Sequence, residues 1–262
     1  MSAVLAGPYS WLMDMRGQRT WDELGRSDPL WAVLSLPEKR GGGWEIDEFL
    51  ATGVREVSDV LDSIEALGIG LSWGKALDFG CGVGRLTQPL AGRFAEATGV
   101  DIAPSMIEMA TRLNKLGDRC RYMLNTRGDL SVFADGQFDF IYSSITLQHI
   151  PPKLMKNYVA EFVRTLAPAG VIVFQLPSSP PRTLRNRVKR LVPVSVRNRL
   201  RRFRHGLRPQ ARMQMFWMTP RRVERIVRRS GGRIVAMRDD YAAGSGWTGK
   251  RYVVRRREAA AP

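Results

Sequence analysis

The segment ALDFGCGVGRLT, residues 76–87, constrains this chain more than any other. A short apolar run, Lys75 to Phe79, leads into three alternating glycines and then into a helical pattern. Gly80, Gly82 and Gly84 permit a tight turn and let the backbone come close to a ligand. The helix that follows turns its N-terminal N–H groups toward the same place. A bare strand-to-helix turn needs fewer glycines, so a bound ligand is expected here. A dinucleotide loop reads G-x-G-x-x-G. In this chain the third glycine comes one place early, and Asp78 stands at the strand end. A carboxylate there repels a pyrophosphate and suits a cationic ligand.

The rest of the chain alternates strand and helix signals around this loop. Residues 9 to 70 look helical, with an apolar stripe over Glu48 to Leu67. Helices are expected at Leu86 to Phe94, Pro104 to Leu116, Leu154 to Leu166 and Thr219 to Arg229. Strands are expected at Ala97 to Val100, Arg121 to Leu124, Phe138 to Tyr142, Val171 to Leu176, Arg233 to Met237 and Arg251 to Val254. The uninterrupted apolar run at Val171 is typical of a buried parallel strand. Alternation of this kind predicts an α/β protein with a mostly parallel sheet. The pattern breaks at PSSPP, residues 177–181. An insertion then follows, and the tail from Arg255 is expected to fray. With 44% hydrophobic residues the chain has enough apolar side chains for a core. Two cysteines, Cys81 and Cys120, argue against a disulfide scaffold and for a reducing, cytoplasmic setting. The start, MSAVLAGPYS, lacks the features of a secretory signal, so none is expected. Two His and two Cys, widely scattered, predict no metal site.

Asp101 lies 21 positions after Gly80, at the end of the second strand signal, in GVDIAPSMIEMA. A carboxylate there can accept both hydroxyls of a ribose. With Asp101 and DFGCGVG on the page, the chain resembles a class I S-adenosylmethionine-dependent methyltransferase. The similarity is strong over about residues 70–176 and weak over 213–255. It implies a Rossmann-like, seven-stranded, mostly parallel sheet with helices on both faces and its last strand antiparallel. It also implies that Asp78 and the backbone of Gly80, Cys81, Gly82 and Gly84 hold the methionine end of S-adenosylmethionine. Asp101 then holds the ribose, with Ile102 and Met106 beside the adenine. Asn125 and Thr126 follow the third strand and meet the adenine amine, with Asp129 as a rival.

The fourth strand runs into FDFIYSSITLQHIPP, residues 138–152. Cofactor and acceptor meet beyond the C-terminal ends of such strands. Ser143, with Ser144, is therefore expected near the methionine moiety. In some members of the family a His at the place of His149 is a general base. A hydroxyl acceptor must lose a proton, and a His near neutral pH can take it; the alternative is a His that only braces a loop. We assign Gln148 and Trp217 as acceptor contacts. The chain lacks the N/D-P-P-Y/F run of adenine amino-group methylases, which favours an oxygen acceptor, either a small molecule or a glycan. WDELGRSDPLWAVLS and GGGWEIDEF resemble pieces that precede the core in related bacterial enzymes. They are expected to form an N-terminal helical lid over residues 1–70, with Trp21, Trp31 and Trp44 as lining or as ordinary packing.

Net charge is +16, and it is concentrated. Residues 182–230 hold 17 basic residues and one acid, Glu224, while the remainder holds 24 of each sign. Residues 180–212 read as a basic helical insertion between core segments 71–179 and 213–257. Leu184, Val188, Leu191 and Val192 form one apolar stripe, and Val196, Leu200, Phe203 and Leu207 form another. Three roles stay open for it: a cap on the core, an anionic membrane surface, or nucleic-acid phosphates as in an RNA methyltransferase. The single aromatic, Phe203, gives no stacking platform for bases. A chain that binds the cofactor without acceptor chemistry is the non-enzymatic alternative.

Overall fold

A computed structural model describes residues 10–181 and 213–257. The basic insertion predicted at 180–212 lies almost wholly outside the described residues. Four N-terminal elements come first: α1 (Ser10–Ser27), α2 (Pro29–Val33), a short 3-10 turn at Pro37–Lys39, and α3 (Ile46–Glu65). The alternating part runs β1 (Lys75–Phe79), α4 (Thr87–Arg93), β2 (Glu96–Asp101), α5 (Pro104–Leu113) and β3 (Cys120–Leu124). It continues with β4 (Phe138–Ser143), α6 (Pro152–Thr165), β5 (Leu166–Ser179), α7 (Pro220–Arg229), β6 (Gly232–Asp240) and β7 (Thr248–Arg256).

The seven strands form one sheet in the order β3-β2-β1-β4-β5-β7-β6. Every pairing is parallel except those of β7, which runs antiparallel to both β5 and β6. This is the sheet that the resemblance implied. The chain winds outward from β1 in one direction through β2 and β3, and in the other from β4. The carboxyl ends of β1 and β4 therefore flank the switch point where open α/β sheets place their ligands.

Side chains alternate across the sheet and fill two apolar layers. Along β5, Ile172, Phe174 and Leu176 join Phe162 of α6 and Val223 of α7 on one face. Val171 and Val173 face the other way, with Val57 and Ile64 of α3 and Leu90 of α4. A third cluster joins α1, α2 and α5 around Val83 of the glycine loop, and includes Leu24, Leu30, Trp44, Phe49 and Met106.

Some boundaries differ from the sequence pattern. The fifth strand does not stop at Leu176: Pro177 and Ser179 remain paired with Gly249 and Thr248 of β7. Prolines are tolerated at a strand end where their missing N–H faces away from the ladder. The helix from Pro104 ends at Leu113 rather than Leu116. Asn114 turns extended (ψ 120°) and its side-chain amide donates to the carbonyls of Gly117 and Cys120.

One glycine sets how closely α3 seats on the core. A Cβ at Gly53 would overlap the carbonyl of Arg85, so no other residue lets α3 lie on the glycine loop this tightly. Gly53→Ala is expected to destabilise by about 1–3 kcal/mol through overpacking, with the melting temperature falling by roughly 2–4 °C per kcal/mol. Gly92→Ala, at an exposed position of the otherwise buried α4, has open space around it among the described residues, and should instead stabilise by about 0.5–1 kcal/mol. Thermal melts of the two variants check both signs.

Candidate active site

The loop after β1 is stitched to β2 by backbone. Gly80 N and Cys81 N both donate to Val100 O, at 2.8 and 3.0 Å. Gly80 and Gly82 have φ of 77° and 52°, in the left-handed region that glycine enters without strain. Both also lack room for a side chain: a Cβ would strike Thr146 at Gly80 and Val33 at Gly82. Asp101 closes this end. Its carboxylate accepts Gly82 N at 3.0 Å through Oδ2 and Ala103 N at 2.9 Å through Oδ1. Burial pushes its carboxyl above the usual range, and backbone donors at Ala103, Gly82 and Ile102 pull it part of the way back.

The turn after β4 comes up against this loop. Ile145 has φ 50°, which for a β-branched side chain stores roughly 1–3 kcal/mol of strain. The strained turn is held by Thr146, whose hydroxyl donates to Ser144 O and Gly80 O at 3.0 and 3.3 Å. It carries Gln148 and His149 into a 3-10 turn, Leu147–His149. His149 Nδ1 lies 2.8 Å from the carbonyl oxygen of Gln214, which only accepts. That contact assigns the proton to Nδ1 and leaves Nε2 with its lone pair. Gln148 Nε2 lies 3.2 Å from His149 Nε2 and donates to it, while Gln148 Oε1 is buried with no hydrogen-bond partner among the described residues. Trp21 of α1 meets the imidazole edge-on, with ring centroids 4.9 Å apart. Enclosure by these groups pushes the His149 pKa down to about 4, against the pull of the Gln214 carbonyl.

Between the loop and this turn lies a cavity of about 440 Å³. Of the residues singled out in the sequence, Gly80, Cys81, Gly82, Asp101, Ile102, Met106, Asn125, Gln148 and His149 line it. Five others do not. Asp78 faces the opposite way from Leu77 and Phe79 and is buried behind the loop. There Thr87 Oγ1 donates to it at 2.6 Å, and burial pushes its pKa up to about 7. Gly84 packs against Tyr122 instead. Thr126 is exposed past the end of β3. Ser143 is fully buried, its hydroxyl donating to Phe79 O at 3.1 Å, and its neighbour Ser144 takes the wall position. Trp217 points to solvent, while Met213 and Met215 line the cavity. Asn125 reaches the wall with its amide already tied to its own loop, donating to Asp129 O at 2.8 Å. Asp129 is occupied in capping that loop through Ser131. Of the three tryptophans placed in the N-terminal segment, Trp21 lines the cavity and Trp44 packs in the core. Val33, Leu34, Ser35 and Leu36, after α1, complete that wall.

Sequence reasoning missed a buried polar group beside the loop. Arg85 Nη2 donates to Glu56 Oε2 of α3 at 2.7 Å, and the Tyr142 hydroxyl donates to Glu56 Oε1 at 2.8 Å. Ser144 also hydrogen-bonds Glu56. Burial alone would raise the Glu56 carboxyl, but Arg85 and these donors hold it below the usual range.

The residues present suit an adenosine-bearing ligand. Asp101 meets the backbone donors of Gly82, Ala103 and Ile102, and a carboxylate has about four acceptor sites, so acceptor capacity remains for a ribose hydroxyl. The loop is a cradle that any Cβ at Gly80 or Gly82 would fill. Among the described residues no group of three or more His, Cys, Asp or Glu could hold a metal.

The comparisons with known proteins agree with this geometry. Residues 76–170 match the family described as a methyltransferase domain. A tocopherol O-methyltransferase of Arabidopsis thaliana is 33% identical over 103 residues, 38% of this chain and 29% of that protein. A ubiquinone biosynthesis O-methyltransferase of Psychrobacter cryohalolentis is 33% identical over 115 residues, 43% of this chain and 44% of that protein. The chain thus spans less than half the length of these curated relatives in the matched region. Among solved structures, magnesium protoporphyrin IX methyltransferase from Synechocystis with bound S-adenosylmethionine matches with a TM-score of 0.59 at 15% identity. That match covers 98% of this chain and 100% of the other. The 1,6-didemethyltoxoflavin-N1-methyltransferase of Burkholderia thailandensis gives 0.59 at 18% identity, over 98% and 94% of the two chains. These likenesses show the shared fold.

The His149 environment is directly testable, because the chain holds only one other imidazole, His205. In a His205→Gln background the ring protons of His149 are expected to stay at their neutral shifts from pH 8 down to about 5, and to move only near pH 4. A midpoint near the ordinary value, about 6.5, would show an open, solvated ring. The depressed pKa also means the unfolded chain binds the extra proton first. This residue's share of stability is therefore complete above about pH 6.5 and is lost as pH falls toward 4.

Proposed function

We propose that this methyltransferase-domain chain transfers a methyl group from S-adenosylmethionine to a hydroxyl of a small-molecule acceptor, with His149 as the base. One observation carries the reading: a single cavity joins the Gly80–Gly82 loop and Asp101 at one end to His149 and Gln148 at the other. When bound, S-adenosylmethionine supplies a methyl group already activated on a sulfonium. The residues that would hold it are the loop backbone, Asp101 at the ribose, and Ile102 and Met106 at the base.

The chain's own part is then alignment and one proton. Methyl transfer to an activated carbon gains mainly from holding the reactants in line. A hydroxyl also has to lose its proton, and His149 Nε2 offers the lone pair to take it once the acceptor displaces the Gln148 amide that donates to it. The Gln214 carbonyl steadies the imidazolium formed, through Nδ1–H. The N-terminal wall from Trp21 to Leu36 and the Met213 and Met215 side chains keep water from the reacting atoms. Support for oxygen over nitrogen comes from this neutral, correctly tautomeric imidazole, since an amine acceptor has a lone pair of its own. Support for a small molecule over a glycan comes from the names of the relatives, which are O-methyltransferases of tocopherol and of ubiquinone biosynthesis.

The deciding experiment is calorimetric titration with S-adenosylhomocysteine, followed by methyl transfer to a panel of hydroxyl compounds. Asp101→Ala should weaken S-adenosylhomocysteine by roughly 10–100-fold, the usual loss of hydrogen bonds to a charged group. His149→Ala should keep that affinity and lose roughly 10²–10⁴-fold in turnover. Normal turnover by His149→Ala would remove the base from the mechanism. Failure of the unaltered chain to bind S-adenosylhomocysteine would remove the cofactor.

A further inference from the structure

We propose that the outer face of α7 docks this protein on an anionic lipid surface. Five of the ten residues of α7 are arginines, Arg221, Arg222, Arg225, Arg228 and Arg229, and all five are exposed. They lie opposite Val223, Ile226 and Val227, which face the core. None of the five makes an ion pair among the described residues. One acid, Glu224, shares the helix. Acids of the neighbouring elements are already paired: Glu161 with Arg164, Asp239 with Lys250 and Asp240 with Arg251. α6 packs in the same apolar layer and adds exposed Lys153 and Lys156.

The fold gains nothing from this arrangement. Arg221 and Arg225, and Arg225 and Arg229, are like charges four residues apart, a spacing that destabilises a helix. Arg221 and Arg222 stand in the first turn, where the helix dipole favours acids, and α7 has no acid there. A feature that works against its own element points to a partner outside the fold. Clustered guanidiniums gain together at an anionic bilayer. Two observations favour a bilayer over nucleic acid. Trp217 is exposed four residues before Arg221, and an indole sits well at headgroup level. The cavity wall is apolar where it meets the two basic helices: Ile150 and Leu154 lie at the start of α6, and Met213 and Met215 lead toward α7. Such a wall suits an acceptor that dissolves in lipid rather than a polar nucleotide chain. That last link rests on the proposed function, whereas the docking itself rests on the charge of α7.

The test is sedimentation of the full chain, without cofactor or acceptor, with two kinds of vesicle: phosphatidylcholine alone, and equal parts phosphatidylcholine and phosphatidylglycerol. Binding is expected to the mixed vesicles only, and to weaken as salt is raised. A chain with Arg221→Gln, Arg225→Gln and Arg228→Gln should bind them roughly 100-fold more weakly, about fivefold for each arginine near an anionic surface. Lys at the same three positions keeps the charge and should stay within about fivefold of the unaltered chain. Equal charge removed elsewhere, by Arg55→Gln, Arg112→Gln and Arg121→Gln on α3, α5 and β3, should change binding by less than about threefold, because those exposed arginines lie off this face. The α7 glutamine variant should melt no lower than the unaltered chain, since its like-charge pairs are relieved; lost binding is then not lost fold. Equal weakening by the two glutamine variants, or equal binding to both kinds of vesicle, would overturn the proposal. So would an α7 variant that still binds the mixed vesicles, or RNA that binds the same arginines more tightly than those vesicles do. Vesicle binding is read without cofactor, so its failure leaves the methyl-transfer reading standing, and failure to bind S-adenosylhomocysteine leaves this one.

Discussion

One carbonyl oxygen organises this molecule. Val100 O, at the end of β2, accepts from both Gly80 and Cys81 and so fixes the loop that leaves β1. The next residue, Asp101, fixes Gly82 through its side chain and Asn125 N through its own carbonyl, at 3.0 and 2.9 Å. Three successive parallel strands, β1, β2 and β3, thus end on shared hydrogen bonds within two residues of each other. Their carboxyl ends become one rigid rim. The rest of the site is built against that rim. The strained turn at Ile145 leans on Gly80 through Thr146, and α3 leans on Arg85 through Gly53. Strain at Ile145 persists because contacts on both sides over-determine it.

Much of this was legible in the sequence, for reasons that particular residues make plain. Parallel strands buried on both faces read as short apolar runs, so Lys75–Phe79 was placed to the residue and the others to within a few positions. Gly80, Gly82 and Asp101 were legible because backbone chemistry demands them at fixed spacing. What failed was parity and distance. Asp78 and Ser143 sit on the right strands, but alternation turns Asp78 behind the loop and hands the wall to Ser144. Met213, Met215 and Trp217 belong to an extended segment whose facing depends on two long-range bonds, Phe216 N to Gln148 O and Met218 N to Pro177 O. No local pattern reveals those. The Arg85–Glu56 pair joins residues 29 apart on different elements. The sequence offered only a charged residue directly after the last glycine.

The tertiary structure also explains how a strongly basic chain can hold a cationic ligand. On α7, Arg221, Arg222, Arg225, Arg228 and Arg229 are exposed, while Val223, Ile226 and Val227 face the core. Those arginines lie on the layer that α6 shares, away from the α3 side where Arg85 and Glu56 sit. Exposed charges separated by more than about 10 Å are screened at ordinary salt, whereas buried ones are not. The cavity therefore answers to its own walls rather than to the net charge of +16.

The loop end is acidic on balance: Asp101 lines the cavity and Asp78 and Glu56 are buried behind it, against one cation among the described lining residues, Arg85. Burial raises the pKa of both Asp78 and Asp101, and for Asp78 the charges of Glu56 and Asp101 add to it. A ligand bearing an ammonium, a sulfonium and one carboxylate carries net positive charge and relieves that acidity. Once the methyl has left, the sulfur is neutral and that relief is gone. On the proposed function, the same buried carboxylates that favour such a cofactor favour its product less, which eases release of the product.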